Sequence, residues 1–313
     1  MTKEEPGKWL KIEIAAPVEL MDAVGNFLTE TGAQGVFQET LGTPSQEEFD
    51  EVQFRDAIKA YFAHDAASEE RIAAIQKYLE SLKEIFPDIP APVLKTEIIS
   101  DPGWGEAWKK YFKAVRVSSN IIVKPTWEKY APSGRDIVIE IDPGLAFGTG
   151  QHPSTRMCIE ALEDIMMHDA SVQNWKTLDV GCGTGILGII AARLGARDVL
   201  CLDNDPKATE IAAKNAAVNL VSDRLRIVNQ DALAINEPRN LIIANLTSKL
   251  LLKLCRHLTQ LLVAGGYMII SGIMEKDSGD IEASFSVAPL IQHRVIKEKE
   301  WVCYLLRKEA PAV

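Results

Sequence analysis

The residues with the means to bind and react lie in a few short stretches. The most telling is Thr177-Leu-Asp-Val-Gly-Cys-Gly-Thr-Gly-Ile-Leu-Gly188, followed by Leu202-Asp-Asn-Asp-Pro206. Leu178 to Val180 is short, apolar and partly β-branched, as suits a strand covered on both faces. Gly181, Gly183 and Gly185 allow a tight turn and a close backbone approach to a ligand. Ile186 to Leu194 then reads as a helix that Gly195 ends. A second strand, Asp198 to Leu202, delivers Asp203 about twenty residues past the glycines, where a carboxylate accepts hydrogen bonds from both hydroxyls of a ribose. Pro206 suits the first turn of the next helix. The unit is built for a nucleoside cofactor.

Two cofactor classes remain open on spacing, because Gly183-Thr-Gly-Ile-Leu-Gly188 also satisfies the dinucleotide pattern G-x-G-x-x-G. Asp179 decides between them. An acid at the end of the first strand faces a pyrophosphate badly but suits the ammonium of a methionine tail. S-adenosylmethionine is therefore preferred, with an NAD-dependent dehydrogenase as the alternative.

The next stretch is Ile141-Asp-Pro-Gly-Leu-Ala-Phe-Gly-Thr-Gly-Gln-His-Pro-Ser-Thr155. It precedes a helix from about Arg156, which Ser154 or Thr155 is placed to cap, while the glycines and Phe147 upstream suggest a loop that folds over a ligand. His152 reads as a positioning group rather than a proton acceptor. The last stretch, Leu241-Ile-Ile-Ala-Asn-Leu-Thr247, is a buried strand ending in an amide. At the carboxyl end of a core strand, the side-chain oxygen of Asn245 and the backbone carbonyl of Leu246 can accept hydrogen bonds from an amino group and aim its lone pair at a methyl. No Pro-Pro-Tyr follows, so there is no aromatic platform for a nucleobase.

The elements that position these residues alternate. Helix 207–219, strands 225–228 and 241–244, helix 248–262 and strand 267–271 precede two strand-like runs, 291–296 and 302–306, with no helix between them. A mostly parallel sheet closed by such a hairpin is the layout of a seven-stranded, Rossmann-like α/β domain. Residues 1–100 read differently: strand 9–15, helix 18–31, strands 35–40 and 52–63, helix 68–86 opened by a capping Ser68, and strand 93–99. This βαββαβ order predicts a smaller α+β ferredoxin-like domain. A polar loop from Leu41 and the Pro/Gly-rich segment Ser100 to Gly105 complete it, so the domains are expected at 1–100 and 101–313.

Charge separates the same two parts. Residues 1–100 hold nine Lys and Arg against nineteen Asp and Glu, while the remainder is balanced at twenty-five of each. The acidic field repels nucleic acid and attracts basic partners. Five widely spaced cysteines indicate neither a disulfide framework nor a metal cluster, and no metal is expected. Without an export signal or a membrane-length apolar run, a cytoplasmic monomer with no membrane contact is expected.

Taken together, Asp142-Pro-Gly-Leu-Ala-Phe-Gly-Thr-Gly-x-His-Pro-x-Thr155, Leu178-Asp-Val-Gly-Cys-Gly-Thr-Gly-Ile-Leu187, Ala244-Asn-Leu246 and Ser271-Gly-Ile273 strongly resemble the PrmA family. These are bacterial methyltransferases of the large-subunit ribosomal stalk-base protein. The likeness runs from about Trp104 to the C-terminus, including Trp104-x-x-x-Trp108 and Pro125-x-Trp127. It implies transfer from S-adenosylmethionine to lysine side-chain amines, up to trimethylation, and to an N-terminal α-amine of that basic protein. It also implies cofactor contacts at Thr155, Gly181, Asp203 and Asn245, beside Asp179 and Gly183 from the glycine turn, and substrate recognition by residues 1–100. The catalytic pair is then Asn245 and Leu246. The chain departs from the pattern at Gln151, Asn240 and Thr247, which bears on substrate range. A methyltransferase of nucleic acid or small molecules, and an idle cofactor-binding scaffold, are the other readings.

Overall fold

The computed structural model describes residues 8–33, 35–40, 56–87, 89–100, 113–142, 150, 152–168, 174–286 and 289–309. They divide into two compact units, one within residues 8–100 and the other within 113–309.

The first unit runs β1 (Trp9–Ala15), α1 (Val18–Glu30), β2 (Gly35–Thr40), β3 (Asp56–Ala63), α2 (Ser68–Ile85) and β4 (Val93–Ile99). Its sheet has the order β2-β3-β1-β4 with antiparallel pairing throughout. Leu10, Ile12 and Ile14 alternate inward along the central β1, where period-two spacing puts them on one face. That face packs on Leu20, Val24 and Leu28 of α1 and Ile75, Leu79 and Leu82 of α2, which recur at helical spacing. Phe27 stacks on Tyr78 at 3.9 Å between ring centres, joining the two helices. One expectation fails here. Ser68 is inside the first turn of α2 and does not cap it; its Oγ accepts the Asp65 N–H at 3.0 Å. The loop expected from Leu41 and the linker residues 101–105 lie outside the described residues.

The second unit contains β5 (Val115–Arg116), β6 (Ile121–Lys124), β7 (Ile137–Glu140), α3 (Pro153–His168), β8 (Lys176–Val180), α4 (Ile186–Arg193), β9 (Asp198–Asp203), α5 (Pro206–Val218), β10 (Leu225–Asn229), β11 (Arg239–Asn245), α6 (Ser248–Leu261), β12 (Leu262–Met274), α7 (Ser278–Ser286), β13 (Leu290–Glu298) and β14 (Trp301–Lys308). Its seven-stranded sheet has the order β10-β9-β8-β11-β12-β14-β13. Strands β8 to β12 pair in parallel, and β14 is antiparallel to both neighbours. The chain adds strands to one side of β8 and then to the other, so the sheet's switch point lies between β8 and β11, where a crevice opens at the carboxyl ends. Apolar side chains cover both faces: one cluster joins α3 and α4 to the sheet, the other α6 and α7.

Some elements had no sequence signal. The small sheet β5-β6-β7 is too short for a periodic pattern and is held by tertiary bonds instead. Buried Glu163 of α3 accepts the N–H groups of Ser119 and Asn120 at 3.0 and 2.8 Å. Asn219, after α5, exchanges two bonds with the Glu140 backbone at 2.8 and 2.7 Å. Helix α7 buries only Ile281 and Phe285, one pair at i,i+4, so its pattern was not seen. Among the described residues no helix is long and apolar enough to cross a membrane, and all five cysteines are buried and free.

Candidate active site

The glycine turn takes the shape its composition demands. Gly181, Gly183 and Gly185 have φ of +66°, +54° and +79°, a region costly for residues with a β-carbon. The N–H groups of Gly181 and Cys182 donate to the Leu202 carbonyl at 2.9 and 3.0 Å, tying the turn to the end of β9. Asp203 stands beside it, half-buried. One carboxylate oxygen accepts the Gly183 N–H at 2.9 Å and the other the Asp205 N–H at 3.0 Å. A carboxylate has room for about four hydrogen bonds, so this one is oriented yet keeps acceptor capacity for a vicinal diol. Asp205 caps α5 by accepting the Lys207 N–H at 2.8 Å, with Pro206 at the helix start.

Asp179 sits deeper than its place in the motif suggests. It is 1 % exposed, and its Oδ2 accepts the Gly188 N–H at 2.9 Å. Burial, reinforced by the negative charge of Asp203 and opposed by the Gly188 bond, raises its pKa to about 7. Its first partner is thus the first turn of α4, a role the sequence reading did not assign. A side chain at Gly188 would force its neighbours to shift: a β-carbon there would meet Cys201 Sγ and stand 3.3 Å from Asp179 Oδ2.

Asn245 closes β11. Its Nδ2 donates to Thr155 Oγ1 at 3.2 Å, across ninety residues of sequence, which leaves Oδ1 on the side of Gly272. Thr155 is 1 % exposed in the first turn of α3. The expected cap is corrected here, because α3 begins at Pro153 and neither Ser154 nor Thr155 caps it. His152 does: its carbonyl accepts from the Thr155 and Arg156 N–H groups at 3.0 Å each. Its Nδ1 accepts the Ser154 N–H at 3.3 Å and lies 2.8 Å from Ser154 Oγ. Nδ1 therefore carries the lone pair. Burial, with the charges of Arg156 and Lys299, lowers the His152 pKa to about 4, and the ring packs edge-on to Trp301 at 4.8 Å. The imidazole is thus neutral and packed at the start of α3.

Leu246 follows with its N–H bonded to the Ser271 carbonyl at 3.0 Å, extending the β11–β12 pairing one residue past Asn245↔Ser271. Gly272 and Trp301, which carry no expected role, stand beside the expected pair Asn245 and Leu246 and beside His152, respectively. A glycine within the apolar run of β12 is the signal for a bulge beside a site, and the β12–β14 register does shift between Ile270 and Ile273.

The departures fall in different places. Asn240 is at the amino end of β11, where its Oδ1 accepts the Lys176 N–H at 2.7 Å and its Nδ2 donates to the Asn174 carbonyl at 2.8 Å. It fastens strand starts, away from the crevice. Thr247 is the exposed N-cap of α6 with no side-chain cap bond. Gln151, Phe147 and Trp104 lie outside the described residues.

The donor set fits S-adenosylmethionine. Three left-handed glycines leave backbone accessible, Asp203 offers oriented acceptors beyond them, and Asn245 ends the neighbouring strand across the switch point. With the 3-2-1-4-5-7-6 strand order of the sheet, they define a Rossmann-like methyltransferase that takes its methyl group from S-adenosylmethionine.

Comparison with known proteins narrows the class. The family described as Ribosomal protein L11 methyltransferase (PrmA) matches residues 8–309. Ribosomal protein L11 methyltransferase of Pelobacter propionicus is 35% identical over 309 residues, 97% of this chain and 99% of its own length. That of Exiguobacterium sibiricum is 31% identical, covering 97% of this chain and all of the relative. The crystal structure of ribosomal protein L11 methylase from Lactobacillus delbrueckii subsp. bulgaricus matches with a TM-score of 0.58 at 29% identity, covering 64% of this chain and 100% of that one. The chain belongs to the PrmA family, and the dinucleotide alternative left open by the glycine spacing is closed.

Proposed function

We propose that this chain methylates ribosomal protein L11 on lysine side-chain amines and the N-terminal α-amine. The observation that carries this reading is the pair of acceptors at the end of β11: Asn245 Oδ1, freed by the Nδ2 bond to Thr155, and the Leu246 carbonyl. Two acceptors side by side suit an amine that donates two N–H bonds and directs its lone pair elsewhere. S-adenosylmethionine supplies an electrophilic methyl on a sulfonium. Gly181 and Gly183 contact it by backbone, Asp203 takes the ribose hydroxyls, Asp179 serves its ammonium, and Thr155 with Asn245 completes the contacts.

The chain's main task is alignment, because in-line displacement needs position more than covalent help. Deprotonation is the hurdle. A lysine of pKa about 10.4 costs roughly 4.6 kcal/mol to neutralise at pH 7, whereas an α-amine near 7.8 costs about 1. Cationic charge nearby and desolvation both favour the neutral amine, so no strong base is required, and a neutral His152 is consistent with that. Residues 1–100 are proposed as a ferredoxin-like recognition domain, whose acidic balance suits a basic substrate in the cytoplasm. The enzyme is expected to act as a monomer.

The test is transfer of labelled methyl from S-adenosylmethionine to purified, unmethylated ribosomal protein L11, with the full chain and with residues 101–313. Label in L11 that disappears on truncation, while the shorter chain still binds cofactor, supports both parts. Label in RNA or small molecules, with none in L11, sinks the substrate assignment.

A further inference from the structure

The glycine turn is held from a second side by a residue outside the motif. Asn215 lies in the third turn of α5 and is 7 % exposed. Its Nδ2 donates to the Thr184 carbonyl at 2.9 Å, across thirty-one residues of sequence. Thr184 is fully buried and stands between two left-handed glycines, Gly183 and Gly185. The Gly185 N–H, on the same peptide plane as that carbonyl, donates to the Cys182 carbonyl at 2.7 Å, so both ends of the plane are engaged. The Gly183 N–H goes to Asp203 Oδ2 at 2.9 Å. Helix α5 also sets the depth of the turn: a β-carbon on Gly185 would stand 2.9 Å from Ala212 Cβ, three residues before Asn215 on the same helix. Asn219, four residues after Asn215, is also buried but bonds the Glu140 backbone and the Asn215 carbonyl instead of the turn.

We infer that Asn215 is a positioning residue for the methyl donor: it fixes the turn whose backbone, with Asp203 beside it, receives S-adenosylmethionine. This rests on Gly183 and Asp203 being cofactor contacts, as proposed above. A peptide plane followed by glycine turns over at little steric cost, because glycine admits φ of either sign. The bond from Asn215 removes that freedom. A buried carbonyl that loses such a bond gains by turning toward water. Turning this plane breaks the Gly185 bond to Cys182, which closes the turn around Gly183. The Gly183 N–H is then no longer held against Asp203, and the carboxylate loses the orientation that leaves its other lone pairs for a ribose diol. The amine acceptors at the end of β11 do not share this bond, so the consequence falls on the methyl donor rather than on the substrate protein.

Full-length Asn215→Ala and Asn215→Asp remove the donor, the second at nearly constant shape. Asn219→Ala is the matched loss of a buried amide on the same helix, and Asp203→Ala tests the contact reading independently. Thermal melts report the fold, calorimetry gives S-adenosylhomocysteine affinity, and initial rates with L11 separate the KM of each substrate from kcat. The expected result is an S-adenosylhomocysteine Kd and a KM for S-adenosylmethionine raised about tenfold or more in both Asn215 variants, with kcat at saturating donor and KM for L11 within about threefold of wild type. Asn219→Ala should lower the melting temperature at least as much and keep cofactor affinity within about threefold. Equal loss of affinity in Asn219→Ala and Asn215→Ala, affinity near wild type in both Asn215 variants, or loss of fold in both would overturn the role of Asn215. Wild-type affinity in Asp203→Ala would overturn the contact reading and this inference with it, whereas weak binding by Asp203→Ala beside tight binding by the Asn215 variants would overturn the role of Asn215 alone.

Discussion

At the scale of single residues, the site depends on fixed orientation. The Asn245 amide donates its Nδ2 to Thr155 Oγ1, and that bond fixes the orientation of its Oδ1. Asn245→Ala should lower kcat about 10²–10³-fold, the usual effect of deleting an aligned polar group at a reacting centre. S-adenosylhomocysteine affinity, measured by calorimetry, should fall far less; turnover near wild type would reject the aiming role. Thr155→Val should cost about tenfold by leaving the amide free to turn, and nothing more in the Asn245→Ala background, since a double-mutant cycle of two linked groups is not additive. Asp179 gives a pH signature. Its folded pKa of about 7 is above the ordinary carboxylate value, so the folded state holds the extra proton. The stability it contributes is full below about pH 4 and is lost as pH rises through 7. Melts of the cofactor-free protein should show this decline between pH 4 and 8, and Asp179→Asn, which still accepts the Gly188 N–H, should flatten it.

At the scale of elements, the contact between α4 and the sheet is as demanding as the site. Gly188 lets the helix approach β9 until Cys201 Sγ fills the place of a β-carbon. Gly188→Ala should cost about 1–3 kcal/mol through overpacking, read from urea unfolding, with a sharper loss of cofactor binding because Asp179 and the glycine turn move with the helix. The glycine turn, the helix after it and Asp203 were legible in sequence because each is local: a strand, three glycines and an acid within about twenty-five residues. The α3 cap was misread for an equally local reason. Ser and Thr are the usual caps, but the His152 ring and carbonyl satisfy the same N–H groups, and Pro153 starts the helix one turn earlier than expected.

At the scale of the whole molecule, the net charge of −10 belongs to the first unit, while the glycine turn, Asp203 and Asn245 stand in the second. If the acidic unit draws in a basic protein, KM for L11 should rise steeply between about 50 and 300 mM salt while kcat changes little, because exposed charges are screened over about 10 Å at 0.1 M. A flat KM would assign recognition to shape and apolar contact instead. Each unit has its own apolar core, consistent with one part that can bind cofactor and another that serves the substrate.

The kind of sheet, the glycine turn, the acid at the end of the second strand and the strand that ends in Asn245 were legible along the chain, because those depend on residue type and short spacing. Tertiary structure alone decided which groups meet. Thr155 reaches Asn245 across ninety residues, and the β12 register shift brings Gly272 against Asn245 and Leu246. Strands β5 to β7 are held by Glu163 and Asn219 rather than by a pattern of their own. Such contacts follow from strand register and helix docking, which join residues far apart in the chain and leave no periodic trace along it.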